Sequence, residues 1–253
     1  VNWLGLIALA AVLLLWEASA RLNPLLSQYF PSVGAIGESL FDSIIKRALA
    51  SHLLATLSRF LIAYILAAAI AVTLGVGLGY FRGAYNLAEI LIEFLRPMPS
   101  VAMIPIAILI LGIGSPMIIA VTVYATVWPI LINTIDGVRS VESTLIETGR
   151  TFGLGGWRIL RTIVLPAALP HIVTGLRISV AIALILVTTG EMVVGGSGLG
   201  FFILDEERSL RSSNMYAGIA LVGIVGYGLN RLFLFFESRV MAWHSGMTAR
   251  RSL

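Results

Sequence analysis

The residues of this 253-residue chain that could do chemistry are few, and their spacing excludes most enzymatic readings. Gly195-Gly196-Ser197-Gly198 sets a serine in a glycine-rich turn, the setting of a nucleophile or of a phosphate cradle. A nucleophile needs a base, and His52, His171 and His244 are scattered among loops and helix ends. A cradle needs a basic residue soon after it, and none follows. The only lysine, Lys46, follows Ile45 rather than a glycine, so the usual nucleotide-binding loop is absent and the chain is not expected to hydrolyse ATP. No histidine has a ligand-type neighbour three or four residues away and there is no cysteine, so no metal site is expected. Asp205-Glu206-Glu207-Arg208 reads as a solvated loop tip or a contact for a partner outside the membrane. Glu191 stands alone in an apolar stretch, where a carboxylate is a functional candidate by default. A partner such as Arg177, or a hydrogen-bonded interfacial site, is expected for it.

The elements that must position these residues are membrane spans. The chain is 58% hydrophobic and 12% charged, with a mean hydropathy of +0.96, more apolar surface than one soluble core of this size can hide. Stretches free of Asp, Glu, Lys and Arg run Val1 to Trp16, Phe60 to Phe81, Pro97 to Ile135, Ile178 to Gly190 and Ser212 to Asn230. About 20 apolar residues cross a bilayer, and snorkelling ends allow somewhat fewer. The expected class is therefore all-α, a polytopic bundle of about six spans: Asn2 to Ala20, Leu53 to Tyr80, Met98 to Leu111, Met117 to Ile135, Ile172 to Val194 and Met215 to Phe236.

Gly112-Ile113-Gly114-Ser115-Pro116 separates the third span from the fourth, and Pro97 and Pro99 make the third a kinked or discontinuous helix. Met98, Pro99 and Ser100, where backbone groups are freed, are candidates for a translocation path, as are Thr188, Thr189 and Glu191. Gly75, Gly77 and Gly79 allow close helix approach late in span two. Val33 to Leu49 carries Val33, Ile36, Leu40, Ile44 and Ile45 at helical spacing, with Glu38, Asp42 and Lys46 on another face. It reads as a surface amphipathic helix. The first span lacks a basic lead-in and carries Trp16 and Glu17 where a cleavage site would need small residues, so it is expected to be retained.

Arginines set the orientation. The long polar segment Asp136 to His171 contains Arg139, Arg150, Arg158 and Arg161 and is expected to be cytoplasmic. Six spans then put both termini in the cytoplasm, with Arg82, Arg96, Arg239, Arg250 and Arg251, against Arg21, Lys46, Arg47, Arg208 and Arg211 outside. The pI near 9.8 does not signal nucleic acid, because the basic residues flank spans instead of forming a dense patch.

That segment is expected to form two short helices. The first runs from about Val141 to Phe152, Gly153 to Gly156 turn the chain, and Trp157 to Ile163 form the second before Pro166 stops it. Trp157, Leu160 and Val164 share one face of the second helix, with Arg158 and Arg161 away from it, a shape that suits a groove on a soluble partner. The pattern resembles the EAA loop of ABC importer permeases. Glu147 fills the Glu position, Gly153 the Gly, and Ile163, Leu165 and Pro166 the Ile-x-Leu-Pro ending, with every spacing kept. Thr148 and Gly149 replace the two alanines, and both are small. Arg96-Pro97-Met98-Pro99-Ser100, and Gly190-Glu191-Met192 through Gly198-Leu199-Gly200, extend the resemblance to the nitrate, sulfonate, taurine and bicarbonate branch.

The resemblance implies a type I ABC importer permease fold, with the whole chain 1–253 a single transmembrane permease domain whose coupling loop spans about 138–170. It implies a multi-pass protein of the bacterial cytoplasmic membrane that imports a small anion and carries no catalytic residue. Its implied partners are a second copy of itself, two ATP-binding subunits on the cytoplasmic side that hold ATP and Mg, and a periplasmic or lipid-anchored substrate-binding protein. Lipid surrounds it, and no nucleic acid is implied. The expected coupling residues are Glu147, Gly149, Gly153, Trp157, Arg158, Ile163, Leu165 and Pro166. Two rivals compete. The Gly-x-Ser-Gly turn with six spans resembles rhomboid intramembrane serine proteases, but those need a His base in a later span, and His244 lies beyond the last one. A self-sufficient secondary transporter would account for hydrophobicity and broken helices, but not for the loop spacing, and the two halves show no paired broken segments.

Overall fold

The computed structural model of the chain describes residues 3–22, 29–45 and 48–241, and no strand occurs among them. The helices in order are α1 (Trp3–Leu22), α2 (Val33–Ile45), α3 (Ala48–Tyr80), α4 (Arg82–Leu95), a 3₁₀ turn (Ser100–Met103), α5 (Ile104–Leu111) and α6 (Ser115–Arg139). There follow α7 (Ser143–Thr151), α8 (Gly156–Ile159), a π-helical turn (Leu160–Val164), α9 (Leu165–Val194), α10 (Leu199–Arg208) and α11 (Ser212–Val240). Five helical stretches are long and apolar enough to cross a membrane, and α4 with the 3₁₀ turn and α5 makes a sixth if that bent pair is one broken span. The pair is bent by 90°. The cause is Pro97 and Pro99: neither has an N–H to give the helical ladder, and Pro99 sits extended at φ −62°, ψ 117°. Span three is thus a corner whose second arm alone is too short to cross.

The described chain forms two compact units, residues up to Ser58 with Thr188–Val225, and Arg59–Val187 with the chain from Gly226 on. In the first, Leu49, Leu199, Phe202 and Leu221 are buried together. The amphipathic helix α2 starts where the sequence predicts but ends at Ile45, and α3 begins at Ala48 rather than at Leu53. Its start is held from two sides. Ser32 Oγ accepts the Ala35 N–H at 3.2 Å, a cap worth about 1 kcal/mol. Glu17 of α1 accepts the Val33 N–H at 2.7 Å, a carboxylate at the positive end of the helix dipole. Lys46, Arg47, His244, Arg250 and Arg251 lie outside the described residues.

Asp205 to Arg208 is not a loop tip. It is the last turn of α10, in which Leu199, Phe202, Ile203 and Glu206 are buried at helical spacing. Arg211 holds Glu206 in a fork, Nε to Oε2 at 2.5 Å and Nη2 to Oε1 at 3.0 Å, and Asn214 Nδ2 adds a donor at 3.0 Å. Burial works to raise the Glu206 carboxyl, but the bonds from Arg211 and Asn214 and the Arg211 charge outweigh it and hold the group below its ordinary value.

In the second unit the organising feature is a stripe of small residues on α3. Ala63, Ala67 and Ala71 are fully buried, and Gly75 and Gly79 continue the same four-residue spacing. A Cβ on Gly75 would come 2.7 Å from Thr134 Cβ, and one on Gly79 would come 2.7 Å from Val138 Cβ. Only small side chains let α3 lie this close to α6. Gly77, which the sequence groups with them, faces open space because it is off the stripe. Inside α6, Thr122, Thr126 and Thr134 are buried and return their hydroxyl protons to carbonyls one turn back at 2.6–2.8 Å. An apolar interior otherwise leaves such groups unpaired at high cost.

Candidate functional site

The loop between α6 and α9 lies wholly within the second unit. Its first arm, α7, ends in a Schellman motif. Gly153 takes φ +76° and gives its N–H to Arg150 O at 2.9 Å, while Leu154 N–H returns to Gly149 O at 3.0 Å. The left-handed conformation strains any residue with a Cβ, which is why glycine stands there. The second arm starts at Gly156, whose carbonyl accepts the Tyr80 hydroxyl at 3.2 Å, tying the end of α3 to the loop.

The two arms meet at Gly149. A Cβ on it would stand 2.8 Å from Ile163 Cδ1 and 3.5 Å from Ile159 Cγ1. Beneath this contact Val138, Ile159, Val164, Ala168 and Ile172 are buried, with Ile146, Leu154 and Ile163 packed on them. The buried face of the second arm is therefore Ile159, Ile163 and Val164, and Trp157 is not on it: 74% of Trp157 is exposed, as is 80% of Phe152. Trp157 opens its helix and Ile159 is the residue that meets α7 at Gly149, so Trp157 has nothing to lie against. Glu147, Thr148, Arg150, Arg158 and Arg161 are also exposed. The loop thus presents two aromatic rings among charges of both signs.

Pro166 does not stop the second arm. The π turn Leu160–Val164 precedes it, Leu165 N–H reaches Leu160 O, and helix continues through Pro166 and Pro170 to Val194. A local π turn adjusts the ladder where the proline has no N–H to offer. Gly156–Val194 is in consequence one helical stretch of 39 residues.

Glu191 is fully buried in the first unit. The Thr56 hydroxyl lies 2.8 and 3.0 Å from its two carboxyl oxygens, and Gly200 N–H donates to Oε2 at 3.1 Å. Thr56 Oγ1 in turn accepts Leu199 N–H at 2.8 Å, and His52 Nδ1 accepts Gly198 N–H at 3.1 Å. Gly198, at φ +110°, leaves the space that the Glu191 carboxyl fills, and a Cβ there would overlap it. The glycine-rich turn therefore wraps a carboxylate of its own chain, the opposite of a phosphate cradle. Arg177 is not the partner of Glu191. It faces Glu237, with Nη1 3.8 Å from Oε2. Thr188 belongs to the Glu191 surroundings, since Gly200 packs directly on its carbonyl, and Thr189 is half-buried beside it.

The remaining path candidates belong to the second unit. Met98 is half-buried and Pro99 exposed at the 90° corner, while Ser100 lines a cavity of about 450 Å³ with Arg96, Trp128 and Asn133. Sequence reasoning passed over the last three as site residues. The available signal was a Trp-Pro pair and an asparagine inside an uncharged span. Among the described residues no three His, Asp or Glu side chains gather as a metal site.

Residues 67–241 match the family model described as binding-protein-dependent transport system inner membrane component. A protein of Methanocaldococcus jannaschii described as an ABC transporter permease is 35% identical over 168 residues, 66% of this chain and 63% of that protein. The nitrate import permease protein NrtB of Synechocystis is 32% identical over 93% of this chain and 88% of its own length. The taurine transport system permease protein TauC of Escherichia coli is 27% identical over the same shares, 93% and 88%. Among solved structures, an inward-facing MetNI methionine ABC transporter has a chain that superposes with a TM-score of 0.65 at 22% identity, covering 77% of this chain and 94% of that one. That likeness speaks to the fold.

Proposed function

This chain belongs to the family of binding-protein-dependent transport system inner membrane components, and we propose that it is the permease subunit of an ATP-driven importer for a small anion such as nitrate, bicarbonate, taurine or an alkanesulfonate. Two copies form the path. Two separate ATPase subunits, which hold ATP and Mg, dock on the loop 138–170 from the cytoplasm, and a binding protein delivers substrate from the other side. The whole chain is one permease domain, with both termini cytoplasmic.

One observation carries the coupling role: the exposed end of the loop is the end of a single helical rod. Helix rises about 1.5 Å per residue, so the 39 residues from Gly156 to Val194 extend roughly 58 Å. A push on Trp157 and Arg158 moves the rod as a body, because Gly149, Ile159 and Ile163 lock it to α7 and Gly153 closes the turn. Glu147, exposed on α7, offers the charge that a docking groove reads. Leu165 and Pro166 sit where the loop arm becomes the span. Rocking such rods about the interface of two copies opens a path alternately to each side. The anion class is supported by NrtB and TauC, whose names specify nitrate and taurine.

The test is purification of tagged chain from its native membrane in mild detergent, beside a Glu147→Arg variant, with mass spectrometry of what accompanies each. A nucleotide-binding ATPase recovered with the parent and lost from the variant is the expected result. A parent chain that comes alone, folded and monodisperse, would count against the subunit reading and for a self-sufficient transporter.

A further inference from the structure

A cavity of about 450 Å³ lies behind the 90° corner. It lies inside the second unit, between the corner and the two spans most buried in the chain, α6 and α9. Its polar lining is Arg96, Ser100, Trp128 and Asn133, and its apolar lining includes Ile132 and Leu186. The one charge among its lining residues is the Arg96 guanidinium, which also borders an adjoining cavity lined by Glu89, Glu93 and Asp136.

Hydrogen bonds fix part of this lining and its surroundings. Tyr124 donates to Leu95 O at 2.7 Å, fastening α6 to the residue just before Arg96. The Tyr124 ring also meets Trp128 edge to face, with centroids 5.7 Å apart. Asn133 is anchored by Nδ2 on Pro129 O at 2.7 Å. The Trp128 indole N–H is shut off from solvent and has no acceptor among the described residues. A buried donor left without an acceptor is costly and uncommon, and it calls for an acceptor supplied by a ligand. Arginine cannot lose its proton and presents a planar fork matched to oxyanions.

We propose that Arg96, Ser100, Trp128 and Asn133 form a binding subsite for a small oxyanion on its way through the permease, with Ile132 and Leu186 accommodating an alkyl tail. This rests on the importer reading above and gives it a location. Arg96 on the rim supplies the charge, and the Trp128 N–H, the Ser100 hydroxyl and the Asn133 amide supply neutral donors. A site of one charge and neutral donors holds an anion loosely enough to release it, as a transport path requires.

The experiment uses the assembled complex with its ATPase and binding protein, reconstituted in vesicles and offered labelled nitrate in one arm and labelled taurine in another. Arg96→Gln removes the charge, and Trp128→Phe removes only the N–H while keeping the ring. ATPase association and nucleotide hydrolysis without substrate are expected to stay within twofold of the parent. Uptake is expected to fall about tenfold or more in Arg96→Gln and severalfold in Trp128→Phe, with Arg96→Lys recovering part of the loss. Uptake by both variants that equals the parent at every concentration, or that falls only in step with the amount of assembled complex, would overturn the subsite. A parent complex that hydrolyses ATP but carries neither anion would instead overturn the anion reading on which the subsite rests.

Discussion

Gly149 and Ile163 touch across the loop so closely that a Cβ on the glycine would stand 2.8 Å from the isoleucine Cδ1. The atom it would meet is the far end of a flexible side chain, so a single methyl can be accommodated where a larger group cannot.

Gly149→Ala is therefore expected to be tolerated. The rotation of Ile163 costs little, and replacing glycine inside a helix gains up to about 1 kcal/mol. Gly149→Val crowds Ile159 as well and is expected to cost about 1–3 kcal/mol. Thermal unfolding in detergent checks both, and a Val variant as stable as the parent would mean that the two arms are not locked here.

Gly198→Ala sets a methyl where the Glu191 carboxyl lies, at a backbone angle of φ +110° that L side chains rarely adopt. It is expected to abolish a monodisperse peak in size-exclusion chromatography. The double variant Gly198→Ala with Glu191→Ala removes the overlapping atoms and is expected to recover part of the folded yield. The two changes then couple instead of adding, and a double variant worse than either single one would remove the carboxyl from this explanation.

Glu206 gives a pH dependence with a definite sign. Its folded-state value is depressed despite burial because Arg211 and Asn214 bond the charged form. The stability it contributes is therefore complete above the ordinary carboxylate value of 4.5 and is lost as pH falls through the lower folded-state value. The gap in melting temperature between parent and Glu206→Gln is expected to be constant near neutrality and to shrink below that region. A gap that persists unchanged in acid would assign the effect to packing.

Much of the loop between α6 and α9 is legible along the chain because it is local. Gly153 marks a turn that only a residue without Cβ enters freely, and the two arms follow from short-range helical spacing. Burial within that loop is not local: Trp157 is exposed while Val164 is buried. Spacing alone groups Trp157 with Leu160 and Val164, but burial depends on where α7 lies, and α7 meets Ile159 and Ile163.

By itself, the sequence determined the membrane spans, since the length of an uncharged apolar run is a local property matched to bilayer thickness. It also determined the corner at Pro97 and Pro99, where the missing donors interrupt the helix. Tertiary structure decided what the buried polar groups do. Glu191 finds Thr56, which is 135 residues away in the chain, and the exposed Arg177 finds Glu237, because a polar group takes whichever partner packing brings within reach. Tertiary structure also carried helix through Pro166. A proline interrupts only the local ladder, and here the π turn before it and the packing of Ile159, Val164 and Ala168 hold the two sides in line.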